Sequence, residues 1–150
     1  MSQAQPTGLK ISGRSVGPLS MVMHHGPSGA TIQTTPPVDN GGDGSSFSPT
    51  DLCAASLGAC ASTIILLAAQ RHQIPLAGIT FDLVKQMNQS PRRLGRLIVT
   101  YVLDTDCTEE SFAVLVAAGR ACPVRLTLGP DVLVEERYVR ASDPAERTSL

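Results

Sequence analysis

The run from Leu52 to Ala69, LCAASLGACASTIILLAA, constrains this 150-residue chain most, because it contains no charged side chain. About 18 uncharged residues is the lower bound for a bilayer-spanning helix. Its first half, however, is mostly Ala, Ser, Gly and Cys, and strongly lipophilic residues gather only at Ile64 to Leu67. The reading favoured over a membrane span is a helix buried on all sides within the protein. Hiding such a helix takes much surrounding protein, which a second copy of the chain would supply. Its start is marked by Ser48 as cap, Pro49 at the first helical position and Asp51 three residues after the cap. Ile74-Pro75 stops it, so the spacing predicts a helix to about Gln73.

The flanking segments predict an α+β fold. Residues 8 to 35 alternate in three short runs, LKISGRSVG, LSMVMHHG and ATIQTT, parted by Gly-Pro turn signals, which predicts an antiparallel meander. PPVDNGGDGSSF, from Pro36 to Phe47, is a loop by composition. ITFDLVKQM and LIVTYVLDT read as a hairpin joined by the basic stretch NQSPRRLGR. A second helix is expected from Thr108 to Ala121, with Glu109 and Glu110 in its first turn, where negative charge favours the helix dipole. Cys122-Pro123 breaks the chain, VRLTLG forms a short further turn, and DVLVEERYV makes a last strand. The length suits a single domain over 1–150, with flexible tails at 1–7 and 141–150.

Composition excludes some functions. The net charge is −1 and 17% of residues are charged, with no basic stripe of the kind nucleic-acid binders carry. Aromatic residues make up 3% and Trp is absent, so platforms for stacking bases are poorly supplied. The N-terminal MSQAQPTGLKISG lacks the basic-then-apolar pattern of a secretory signal, which points to a cytoplasmic protein. There, four cysteines suit catalysis, redox chemistry or burial better than a permanent disulfide framework. No Cys-x-x-Cys pair exists, and His24 and His25 are adjacent in a predicted strand and face opposite ways, so no metal site is expected.

Among the thiols, Cys53 and Cys60 share a helix face but stand about 10 Å apart along the axis, and a disulfide needs Cα atoms within about 7 Å. They cannot bridge while the helix is intact. Cys122 lies just before a helix-starting proline and close to Arg125, a setting that favours a thiolate. Cys107 follows Asp104 and Asp106, whose charge disfavours one, and reads as structural. A free cysteine in an Ala-rich helix is also an ordinary small apolar residue. For Cys60 and Cys122, composition and spacing leave both packing and redox readings standing.

The string SPTDLCAASLGAC, with the apolar helix after it and ACPVRLTLGPDVLVE much later, resembles the OsmC/Ohr family. That family comprises osmotically inducible protein C and the organic hydroperoxide resistance proteins. The resemblance implies an intertwined homodimer, with antiparallel sheets around long central cysteine-bearing helices and active sites at the subunit interface. It matches Cys60 to the peroxidatic cysteine and Cys122 to the resolving cysteine. The implied activity is a thiol-dependent peroxidase, part of an antioxidant stress response, that reduces organic or fatty-acid hydroperoxides to alcohols. It would proceed through a Cys60 sulfenic acid and a Cys60–Cys122 disulfide, with an external dithiol, of the lipoyl type by resemblance, as reductant and no cofactor.

Two features depart from the family pattern. An acidic residue is expected ten positions before the peroxidatic cysteine, where this chain has Thr50. The adjacent Asp51 is turned about 100° around the helix, so it either substitutes for that acid or only caps. Arg14, in SGRSVG, resembles the family's N-terminal arginine that activates the thiolate; its other reading is a solvated strand residue. His72 reads as a C-terminal helix cap, and Arg92 to Arg96 as a solvated hairpin tip. The alternative function is a non-catalytic dimeric module that binds a small apolar ligand or senses oxidants through Cys60.

Overall fold

A computed structural model describes residues 8–143. They divide between Leu52 and Cys53 into two compact units. Positions 1–7 and 144–150, expected to be tails, lie outside the described residues. The start of the expected C-terminal tail is tied down: the Ala141 N–H donates to the Leu103 carbonyl at 2.9 Å, and Asp143 accepts from the Arg140 N–H at 3.0 Å.

In the first unit β1 (Ile11–Val16), β2 (Ser20–His25) and β3 (Thr31–Thr34) form the expected antiparallel meander. Gly17 makes the first turn at φ 69°, a left-handed conformation that favours glycine. The predicted loop carries a single 3₁₀ turn at Val38–Asn40.

The long helix, α1, spans Pro49–His72. Its start is a full capping box: the Ser48 N–H donates to Asp51 Oδ2 at 2.8 Å, and the Asp51 N–H donates to Ser48 Oγ at 3.1 Å. Arg71 and His72 close it in the last turn, where cations suit the dipole.

The second unit holds β4 (Gly78–Gln89), β5 (Arg92–Asp104), α2 (Glu109–Arg120), α3 (Pro123–Thr127) and β6 (Leu133–Arg140). β4 and β5 pair antiparallel, but β6 pairs with β5 in parallel. The two helices carry the chain back between β5 and β6, and a parallel pair requires such a crossover. The basic stretch belongs to β5 rather than to a loop, and its arginines stay partly exposed. The turn shrinks to the cis Ser90-Pro91 pair, while Arg96 grips Glu135 through two hydrogen bonds of 2.7 and 2.8 Å. Arg93 reaches Asp131 at 3.4 Å.

α1 is buried along one stripe, Ala54, Leu57, Gly58, Ala61, Ser62, Ile65 and Ala69, spaced three or four apart so that they fall on one face. The stripe shares a core with Leu97, Val99, Tyr101 and Leu103, the inward residues of β5 at strand period two. The expectation of burial on all sides does not hold for the single chain. Leu66 and Leu67, off the stripe, are 45% and 50% exposed.

Small residues set how closely these elements approach. A Cβ on Gly58 would lie 2.3 Å from the Phe81 ring, and one on Gly119 would meet Ile65 and Tyr138 at 2.9 Å. Gly58→Ala should therefore lower unfolding free energy by about 1–2 kcal/mol in urea titration. Overpacking of about 1–3 kcal/mol outweighs the helix-propensity gain of up to about 1. Adding Phe81→Leu should recover part of the loss, and a Gly58→Ala chain as stable as wild type would contradict this packing.

Candidate active site

Cys60 sits on α1 beside the buried stripe, half-buried and packed against the core. Cys122 is fully buried and is the N-cap of α3, where Pro123 occupies the first turn. Its Sγ accepts the Arg125 N–H at 3.3 Å. The two thiols come within hydrogen-bonding reach of each other, although 61 residues lie between them. Cys53, by contrast, is exposed.

Several groups act on Cys122. Burial pushes its pKa up, because it disfavours the charged form. The Arg125 N–H pulls the other way, while the hydrogen bond and charge of Cys60 and the charge of Glu136 add to the rise. The net direction is upward, so Cys122 is held as the neutral thiol. The sequence expectation of a favoured thiolate at this position is thus reversed: one backbone N–H and a nearby arginine do not offset burial and a neighbouring carboxylate.

That carboxylate is absent from the candidates the sequence motifs offer. Glu136 lies beside Val99, and Tyr138 beside Tyr101, in the parallel register of β6 on β5, so both share the inward face with Val134. Only 8% of the Glu136 side chain is exposed. Its oxygens take the Arg125 guanidinium at 3.5 Å and the Tyr138 hydroxyl at 3.1 Å. Tyr138 stacks on Tyr101 at 4.8 Å and 15°, and burial raises the pKa of both phenols, so they stay protonated. The signal was available: the alternation in VLVEERYV places one acid on an otherwise apolar face.

The other sequence candidates have local settings of their own. Asp51 spends one carboxylate oxygen on the helix cap, and Thr50 is hydrogen-bonded to the Ser48 hydroxyl at 3.1 Å. Arg14 is exposed on β1 opposite Val22, in the first unit. Cys107 has the guanidinium of Arg140 3.7 Å from its Sγ and 2.9 Å from its carbonyl. Arg140 also pairs with Glu109 at 2.7 Å and lies over the Phe112 ring at 4.3 Å. This tie between β6 and α2 gives Cys107 a structural setting. Among the described residues, no cluster of His, Cys, Asp or Glu is arranged to hold a metal ion.

Comparison with known proteins agrees with this arrangement of elements. Residues 42–137 match the family described as OsmC-like protein. No curated protein matches the chain. Among solved structures, one from Psychrobacter arcticus, named for osmotic stress induction and a detoxification response, is 30% identical with a TM-score of 0.81, covering 92% of this chain and 99% of its own. An organic hydroperoxide resistance protein from Legionella pneumophila is 20% identical with a TM-score of 0.69 over 92% and 99%. The hydroperoxide resistance protein OhrB of Bacillus subtilis is 18% identical with a TM-score of 0.62 over 87% and 97%. With a family match across most of the sequence and this shared α+β fold, the chain belongs to the OsmC-like protein family.

Proposed function

We propose that this protein is a cysteine peroxidase for organic hydroperoxides. The observation that carries the reading is the meeting of Cys60 and Cys122 thiols from distant parts of the chain. In the first step the Cys60 thiolate attacks the peroxide O–O bond. One oxygen stays on sulfur as a sulfenic acid, and the other leaves as alkoxide and takes a proton to become the alcohol. Cys122 then gives up its proton as its sulfur attacks the Cys60 sulfenic sulfur and displaces the hydroxyl. The S–S bond forms, and the Cys122 proton leaves with the hydroxyl as water. An external dithiol, for which a lipoyl-type group is the proposed class, reduces the disulfide by two exchange steps and is itself oxidised to a disulfide. All oxidising equivalents pass through sulfur.

In this reading Arg14 is the cation that favours the Cys60 thiolate, while Asp51 serves the cap. The cytoplasm is the proposed compartment, since it keeps both thiols reducible. The functional unit is proposed to be a homodimer, in which a second copy covers the open face of α1. Leu66 and Leu67, each about half exposed, support this.

Turnover separates the roles. With an organic hydroperoxide and a dithiol, wild type should consume peroxide continuously and Cys60→Ser should not. Cys122→Ser should form trappable sulfenic acid once and then slow sharply. Arg14→Gln should slow sulfenic acid formation about tenfold, as expected when a positive neighbour of a thiolate is lost. If wild type consumes no peroxide, the peroxidase reading is lost, and sulfenic acid on Cys60 without turnover would favour an oxidant sensor.

The pH dependence of Cys122 gives a second test. In a Cys60→Ser background, alkylation of Cys122 should rise only above the free-thiol range of about 8.5, because its pKa is raised. Glu136→Gln removes a negative neighbour, so the alkylation midpoint should move to lower pH; a midpoint that stays or rises would contradict the assigned electrostatics. Sedimentation should return twice the chain mass, and Leu67→Asp should shift the protein toward monomer. A wild-type monomer at micromolar concentration would remove the dimer from this account.

A further inference from the structure

Tyr101 is the largest fully buried side chain among the described residues. Its ring accounts for the packing: it stacks on Tyr138 at 4.8 Å and tilts against Phe81 at 6.3 Å. The hydroxyl is held less firmly. It donates to the Leu57 carbonyl at 3.5 Å, the outer limit for such a bond. Buried hydroxyls are ordinarily given a firm partner, because leaving one short costs free energy. The Tyr101 proton is therefore weakly committed in the middle of the core.

Helix geometry fixes what that hydroxyl faces. Carbonyls in an α-helix point toward its C-terminus, so the Leu57 oxygen is level with the residues three and four further on, Cys60 and Ala61. Side chains tilt the other way, which brings the Cys60 thiol back to the same level. Tyr101 and Cys122 belong to one core with Cys60 packed against it, and the two thiols are within hydrogen-bonding reach of each other. Burial keeps the phenol protonated, and the charges of Glu136, Cys122 and Cys60 add to that effect. The titratable groups around it are thus Cys60 from α1, Cys122 at the head of α3, and Glu136 and Tyr138 from β6, with Arg125 held by Glu136 at 3.5 Å. From β4 it meets the Phe81 ring.

We propose that the Tyr101 hydroxyl relays the proton of Cys122 to the group that leaves Cys60. Resting on the peroxidase reading, the step is the condensation of the two sulfurs. The Cys122 sulfur bonds to the Cys60 sulfenic sulfur as the S–O bond breaks, its electron pair going to oxygen. The phenol passes its proton to the departing hydroxyl, which becomes water, and takes the Cys122 proton in its place. Tyr101 ends as it began, and Cys122 need not ionise first. The same relay serves any group leaving Cys60 that needs a proton, so it operates without peroxide.

The test uses the full chain carrying Cys53→Ser and Cys107→Ser, with Cys60 loaded as a mixed disulfide. In one arm the leaving thiol is methanethiol, which needs a proton; in the other it is 2-nitro-5-thiobenzoate, which leaves as the anion. Rapid acid quench and mass spectrometry follow formation of the Cys60–Cys122 bond. With methanethiol the parent rate should be flat between about pH 6 and 8, because the neutral thiol reacts. Tyr101→Phe keeps the ring and should slow that arm about a hundredfold at neutral pH, the low end of what a positioned acid–base group contributes. Its rate should then rise about tenfold per pH unit, since only the Cys122 thiolate attacks. With the nitrothiobenzoate group, parent and Tyr101→Phe should react alike. An unchanged methanethiol rate in Tyr101→Phe, equal slowing of both arms, or no Cys60–Cys122 bond in the parent would overturn the relay. A relay found in a protein that consumes no organic hydroperoxide would stand, and only the peroxidase reading would be lost.

Discussion

The close approach of α1 to the β4–β5–β6 sheet is the constraint on which the second unit depends. It is set by a stripe of small residues whose spacing matches the helix repeat, with Gly58 against the Phe81 ring and Ala61 between Leu57 and Ile65 in the shared core. Tyr101 reaches across the gap toward the Leu57 carbonyl at 3.5 Å, near the outer limit of a hydrogen bond. A bulkier stripe would lift α1 from the sheet and carry Cys60 with it. The small side chains that make the run look unsuited to a bilayer are therefore the ones that let a cysteine on this helix reach a cysteine on the crossover.

The second thiol, buried in the same core, is also positioned by polar contacts. Glu136 is a nearly buried carboxylate, and such a charge is costly unless it is paired and hydrogen-bonded. Arg125 and Tyr138 provide that pairing and in doing so tie α3, which begins at Cys122, to β6. Burial, with a smaller contribution from the same carboxylate, raises the pKa of Cys122.

Local signals in the sequence account for much of this fold. The Ser48–Asp51 capping box, the Thr108 cap and the Cys122-Pro123 start of α3 each rest on contacts within four residues, which a sequence displays directly. Nonlocal features were not legible. The parallel pairing of β6 depends on where the crossover lands, and the grip of Arg96 on Glu135 joins residues far apart in sequence. Cys122 shows the same limit: its flanking proline and arginine suggested a thiolate, whereas burial and a carboxylate from another strand decide the opposite. Hydropathy records how apolar α1 is and not how many of its faces one chain covers, and Leu66 and Leu67 stay about half exposed in the single chain.

The central claim is that Cys60 and Cys122 form one redox couple. Its most direct measurement is peptide mapping of the oxidised protein after one equivalent of an organic hydroperoxide, with no reductant present. The account predicts a single Cys60–Cys122 disulfide within each chain, formed in near-stoichiometric yield, with Cys53 and Cys107 still free. A disulfide that instead involves Cys53 or Cys107, or a Cys60 oxidised to sulfinic acid while Cys122 stays reduced, would contradict it.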